Sequence, residues 1–175
     1  IRERVDQCRN YLVNLEEVLA SGYVNKQNIL LAAREILASI GEAHSAFNSV
    51  NILKNNGIES IFVDLCGFHD AEYLTIDERI KQAFADIDCS STVPIATGYT
   101  KGTEGIMREF DRGYSEVTFS KIAVKVKADE AVIHKEYHLS SADPAIVGVE
   151  HSKPVGASNF NVADQLADIG MEAIH

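Results

Sequence analysis

Residues 111–118 read Asp-Arg-Gly-Tyr-Ser-Glu-Val-Thr, which sets a guanidinium, a glycine, a small hydroxyl and a carboxylate side by side. Arg112 can grip a carboxylate through two parallel hydrogen bonds. Gly113 lets the backbone approach a ligand closely, and Glu116 can hold an ammonium. Such a set suits a small zwitterion, for example an amino acid. The same residues also describe an ordinary helix start, with Ser115 as N-cap and Arg112 and Glu116 as solvated charges.

The elements that must position this stretch follow from periodicity. Val5, Cys8, Leu12, Leu15 and Leu19 recur at spacings of three and four and predict a helix, which Gly22 ends. Asn25 is a candidate N-cap for a second helix carrying Leu30, Leu31, Ile36, Leu37 and Ile40. Helix resumes through Phe47, Val50 and Leu53 and stops at Asn55-Asn56-Gly57. From residue 58 the rhythm becomes α/β. Ile58 to Cys66 and Val93 to Tyr99 read as strands, Ala131 to Glu136 as a third, and Thr75-x-x-Glu78 caps a helix through Ile80 and Phe84. A further helix runs from near Ser115 to about Lys127, and a last one from Asn161 to Gly170. Strands alternating with helices predict one domain over 1–175, a helical segment (1–57) and then an α/β part (58–175), built on a mainly parallel sheet. Ligands of such sheets bind at the carboxyl ends of the strands, where Thr97-Gly98-Tyr99 and the turn after Glu136 fall.

Composition narrows the function classes. A net charge of −10 disfavours nonspecific binding to nucleic acid or to an anionic membrane, both of which need a basic surface. Three widely spaced cysteines, Cys8, Cys66 and Cys89, form no metal pair and no disulfide framework, which predicts a reducing, cytoplasmic setting. No apolar run is long enough to span a bilayer. No Gly-x-Gly-x-x-Gly or Walker loop occurs, which disfavours a dinucleotide enzyme or a P-loop NTPase. His134 and His138 are spaced for a metal pair on a helix but fall in a strand end and loop, so no metal site is assigned.

Four segments together resemble the aspartate kinases of the amino acid kinase superfamily. Arg112-Gly113-Tyr114-Ser115-Glu116-Val117-Thr118 is similar to their Arg-Gly-Gly-Ser-Asp-x-Thr signature, and Ser39-Ile40-Gly41-Glu42 to their Ser-x-Gly-Glu segment. Ser141-Ala142-Asp143-Pro144 resembles Thr-Ala-Asp-Pro of the nucleotide loop, and Gly170 to His175 the closing Gly-Ala-Lys-Val-Leu-His. The strings Asp-Arg-Gly-Tyr-Ser-Glu and His-Lys-Glu-Tyr-His-Leu-Ser-Ser-Ala-Asp-Pro resemble most the aspartate kinases associated with ectoine biosynthesis.

The resemblance implies a three-layer α/β/α sandwich that here lacks its opening strand and phosphate loop. It implies transfer of the ATP γ-phosphoryl group, with Mg²⁺, to the side-chain carboxylate of aspartate. Arg112 would bind a carboxylate of aspartate; Glu42, with Ser39 beside it, would face the amino group, and Ser115 and Glu116 would complete the pocket. Arg112 and Glu116 would act in catalysis. His134, Lys135, Tyr137, Ser141, Asp143, Pro144 and Glu172 would fall to the nucleotide, and the longer parent would be a homodimer.

Several residues depart from the family pattern. Glu116 stands for aspartate, Tyr114 for the second glycine, His134-Lys135 for Thr-Asp, Ala145 for an arginine and Glu172 for a lysine. Lys135 and Glu172 reverse the family's signs together, as a compensated swap of one cation near the phosphates would. No Lys-x-Gly-Gly-Thr-Ser string occurs. The expectation is therefore an internal fragment that is not by itself a competent kinase. A non-catalytic amino-acid-binding homologue and an amino acid kinase with another acceptor are the competing readings.

Overall fold

Arg2–Ser21 (α1) and Lys26–Asn55 (α2) form an antiparallel pair joined at Gly22, whose φ of +73° suits a residue without a Cβ. In this computed structural model residues 2–68, 70–110, 113–134 and 140–168 are described. Asn25 caps α2 as its type predicts, its side chain accepting from Gln27 N at 2.8 Å. The two helical stretches expected on either side of Gly41 are one continuous helix. A mid-helix glycine costs only about 1 kcal/mol, and α2 packs on α1 and on both strands, which outweighs that cost.

Ser60–Val63 (β1) and Val93–Ala96 (β2) pair in parallel, Ser60 opposite Val93 and Val63 opposite Ala96. Ser60 Oγ donates to Val50 O and the Phe62 ring meets Phe47 edge-on, so these alternate residues face α2. Ile76–Ala83 (α3) begins with the predicted capping box, Thr75 and Glu78 each bonding the other's backbone N–H. Ile106–Glu109 (α4) and Tyr114–Val126 (α5) follow β2. An apolar core that includes Val63, Leu65, Ile80 and Ile106 lies among these elements. Each fully buried aliphatic side chain there contributes about 1.5–3 kcal/mol.

Both strands are shorter than the apolar runs that predicted them. Beyond Val63 the chain is held by side chains: Asp64 accepts from Cys66 N, and Thr97 Oγ1 accepts from Leu65 N at 3.1 Å. The expected strand over 131–136 is absent from residues 131–134; residues 135 and 136 lie outside the described residues. The helix expected from Ser115 starts one residue earlier, with Gly113 as its N-cap in the left-handed region (φ 78°). Ser115 is therefore inside the helix and not its cap.

The chain divides into two compact units, 1–129 and 130–175. In the second, Pro144–Val147 (α6), a 3₁₀ turn at Val149–His151 and Phe160–Asp168 (α7) are the described helices. An isolated antiparallel bridge joins Ser140 to Pro154. No helix among the described residues is long and apolar enough to cross a membrane.

Candidate active site

The parallel register brings the carboxyl ends of β1 and β2 side by side, and the 97–113 loop leaves from there. Thr97 is buried and fixes the loop's start, its hydroxyl donating to Tyr99 O at 2.8 Å while accepting from Leu65 N. Lys101 N then donates to Leu65 O at 2.8 Å, and Thr103 N to Leu74 O at 3.0 Å. The loop after β2 is thus tied to the loop after β1.

Glu42, half-buried on α2, reaches this loop at both ends. Its Oε2 accepts the Gly98 N–H at 3.2 Å and its Oε1 accepts the Ser115 hydroxyl at 2.9 Å. A Cβ on Gly98 would lie 2.6 Å from Glu42 Oε2 and 2.6 Å from Ser115 Oγ, so glycine here leaves the Glu42–Ser115 contact undisturbed. Each carboxylate oxygen has a second lone-pair direction, and the group can accept from an ammonium as well.

Glu116 stands in the first turn of α5, where the helix dipole favours an anion. Tyr114, the bulky replacement for a glycine, packs edge-to-face on the buried Tyr99 ring with centroids 6.3 Å apart. Burial raises the pKa of Tyr114, and the charges of Glu42 and Glu35 add to the shift. Thr118, one turn into α5, shares a buried hydroxyl contact of 3.0 Å with Thr100.

Of the residues expected at the acceptor pocket, Glu42 and Ser115 touch, and Glu116 follows on the same turn. Ser39 is buried one turn before Glu42 and its hydroxyl donates to Ile36 O at 2.6 Å, within its own helix. Arg112 lies outside the described residues. In the second unit, Ser141 and Lys153 exchange hydrogen bonds, Ser141 N to Lys153 O at 2.8 Å and Lys153 N to Ser141 Oγ at 3.1 Å. Asp143 caps α6 by accepting from Ala145 N at 2.8 Å, with Pro144 next at the helix start. His134 is exposed. Lys135, Tyr137 and Glu172, and with them the proposed charge swap, lie outside the described residues.

Sequence reasoning missed two groups. Glu35, seven residues before Glu42, accepts Met107 N at 2.8 Å and lines a cavity of about 410 Å³ with Tyr99, Phe68 and Lys101. Its signal was an acid on the apolar stripe beside Ile36. Arg79 is buried and clamps Asp70 through two hydrogen bonds of 2.7 and 3.1 Å while donating to Lys101 O at 2.6 Å. Nothing in its local spacing marks it.

The Glu42 bridge from Gly98 to Ser115 thus lies at the carboxyl end of β2, the edge at which open α/β sheets bind their ligands. The chain belongs to the amino acid kinase family, whose sequence model matches residues 4–175. It is 47% identical over 175 residues to the aspartate kinase Ask_Ect of Stutzerimonas stutzeri, covering all of this chain and 37% of that protein. It is 27% identical over 183 residues to the aspartokinase of Schizosaccharomyces pombe and 25% identical over 180 residues to that of Saccharomyces cerevisiae. The chain spans little more than a third of the length of these relatives, 37%, 35% and 34%. No solved structure matches it significantly.

Proposed function

We propose that the chain is part of the catalytic domain of an aspartate kinase, which phosphorylates L-aspartate to 4-phospho-L-aspartate with ATP. An oxygen of the side-chain carboxylate attacks the γ-phosphorus, the bond to the β–γ bridging oxygen breaks, and ADP leaves with that electron pair. The observation that carries this reading is the Glu42 carboxylate bound at once to Gly98 and Ser115. It sets an ammonium acceptor within the family's acceptor-side segments. The 47% identity to an aspartate kinase supports the same acceptor.

In this reading Glu42 takes the amino group of aspartate and Arg112 a carboxylate. Ser39, Ser115 and Glu116 complete the pocket, and Arg112 and Glu116 act in catalysis. ATP falls to His134, Lys135, Tyr137, Ser141, Asp143, Pro144 and Glu172. A serine hydroxyl and a carboxylate at the head of α6 fit the chemistry of a nucleotide carried with Mg²⁺, which neutralises phosphate charge when bound. In the same reading the parent protein is a cytoplasmic homodimer serving the aspartate-family amino acid or the ectoine pathway, and residues 1–175 form part of one catalytic domain.

The test is an ATP- and aspartate-dependent hydroxamate assay on the longer protein that carries this chain. Aspartyl hydroxamate formed by the parent and lost in Glu42→Ala is the expected result. Aspartate bound without product would make the protein an amino-acid-binding homologue instead.

A further inference from the structure

We propose that Glu35 is a positioning residue that holds the chain between Gly98 and Ser115, the two groups that bond Glu42, at Met107. The functional side of this inference rests on the kinase reading above. α2 presents Glu35 and Glu42 seven residues apart, two helical turns and hence on one face. Glu42 secures the loop where it leaves β2 and where α5 begins. Glu35 secures it between those points, at Met107.

The Met107 contact is a capping interaction supplied from another helix. Met107 N belongs to the first turn of α4, where N–H groups lack a partner inside the helix. Gly105, the N-cap of α4, has no side chain with which to satisfy it, and it holds a φ of +74°. Glu35 Oε1 does what a capping side chain would, accepting Met107 N at 2.8 Å, and a Cβ on Gly105 would lie 3.3 Å from the same oxygen. Ile106, between them, is fully buried and anchors the turn in the core.

The other oxygen, Oε2, is buried and accepts no hydrogen bond among the described residues. Burial and then the Glu35 carboxylate raise the pKa of Tyr99. Through Oε1, Glu35 fixes the backbone at Met107, while Gly98 and Ser115 on either side of it are both held by Glu42.

Three variants test this. Glu35→Gln keeps an acceptor oxygen in place, Glu35→Asp keeps the charge but shortens the reach, and Glu35→Ala removes both. In this chain, hydrogen exchange of the 105–110 amides should quicken in the Ala and Asp variants and stay slow in the Gln variant. Exchange across α3 should be unchanged in all three. In the longer parent, the Ala and Asp variants should raise the KM for aspartate about tenfold, the effect of losing one hydrogen bond to a charged group. The KM for ATP should stay within twofold in those variants, and Glu35→Gln should keep both constants near those of the unaltered protein. Unchanged protection of 105–110 in the Ala and Asp variants would overturn the inference, as would faster exchange with an unaltered KM for aspartate. A parent that forms no acyl phosphate would sink the kinase reading alone, and the exchange data would still decide whether Glu35 holds the loop.

Discussion

Glu42 and Ser115 are 73 residues apart in the chain and 2.9 Å apart in the fold, with the Gly98 N–H sharing the same carboxylate. One side chain on α2 thereby sets the distance between a strand end and the first turn of α5. Two backbone elements far apart in the chain are thus registered by one carboxylate.

Gly98→Ala should separate folding from binding. The added Cβ collides with Glu42 Oε2 and Ser115 Oγ, both ends of side chains that can swing away. The thermal midpoint should therefore fall by only a few degrees, corresponding to about 1 kcal/mol. Aspartate affinity of the longer protein, read by calorimetry, should drop at least tenfold because Glu42 is displaced.

Thr100 and Thr118 give a double-mutant cycle. Both are buried and their hydroxyls lie 3.0 Å apart. Either single change to Val strands the remaining hydroxyl and should cost about 1–3 kcal/mol, whereas the double change should cost less than the two singles summed. Denaturant melts of the four proteins measure the coupling.

Arg79→Met should destabilise strongly and alter acid stability. Arg79 is nearly enclosed while Asp70 is about a third exposed, 6% against 36% of side-chain surface. The cost should thus be about 2–3 kcal/mol, below that of breaking a fully buried pair. The Arg79 hydrogen bonds, opposed by partial burial, lower the pKa of Asp70 below its ordinary 3.8. A carboxyl whose folded pKa is depressed adds stability above its unfolded value and loses it as pH falls through the folded value. The gap in melting temperature between the two proteins should therefore narrow as pH drops from 6 to below 3.

Thiol reactivity should be sharply unequal. Burial, reinforced by the charge of Asp64, pushes the Cys66 thiol up to about 12, and burial also raises Cys8. Cys89 is exposed. Since the thiolate is the reactive form, a disulfide reagent at pH 8 should modify Cys89 promptly and reach Cys8 and Cys66 only in denaturant.

Local encoding accounts for what the sequence determined by itself. The 3.6-residue stripe of α1, the Asn25 cap, the Thr75–Glu78 capping box and the two apolar runs that become β1 and β2 each depend on neighbours within a turn or a pleat. The helix start within residues 113–118 was legible for the same reason, since its residue types are contiguous. The tertiary structure alone decided how those pieces meet. The apolar stripes ending at Ile40 and resuming at Phe47 read as two stretches, but packing on α1 and both strands makes α2 one helix. Ser115 looked like a cap, but Gly113, free to adopt a positive φ, starts the helix and leaves the serine hydroxyl for Glu42. Glu35 and Arg79 have no local signature, because their partners lie 72 and 22 residues away and come within reach only once the strands pair and α2 packs across them.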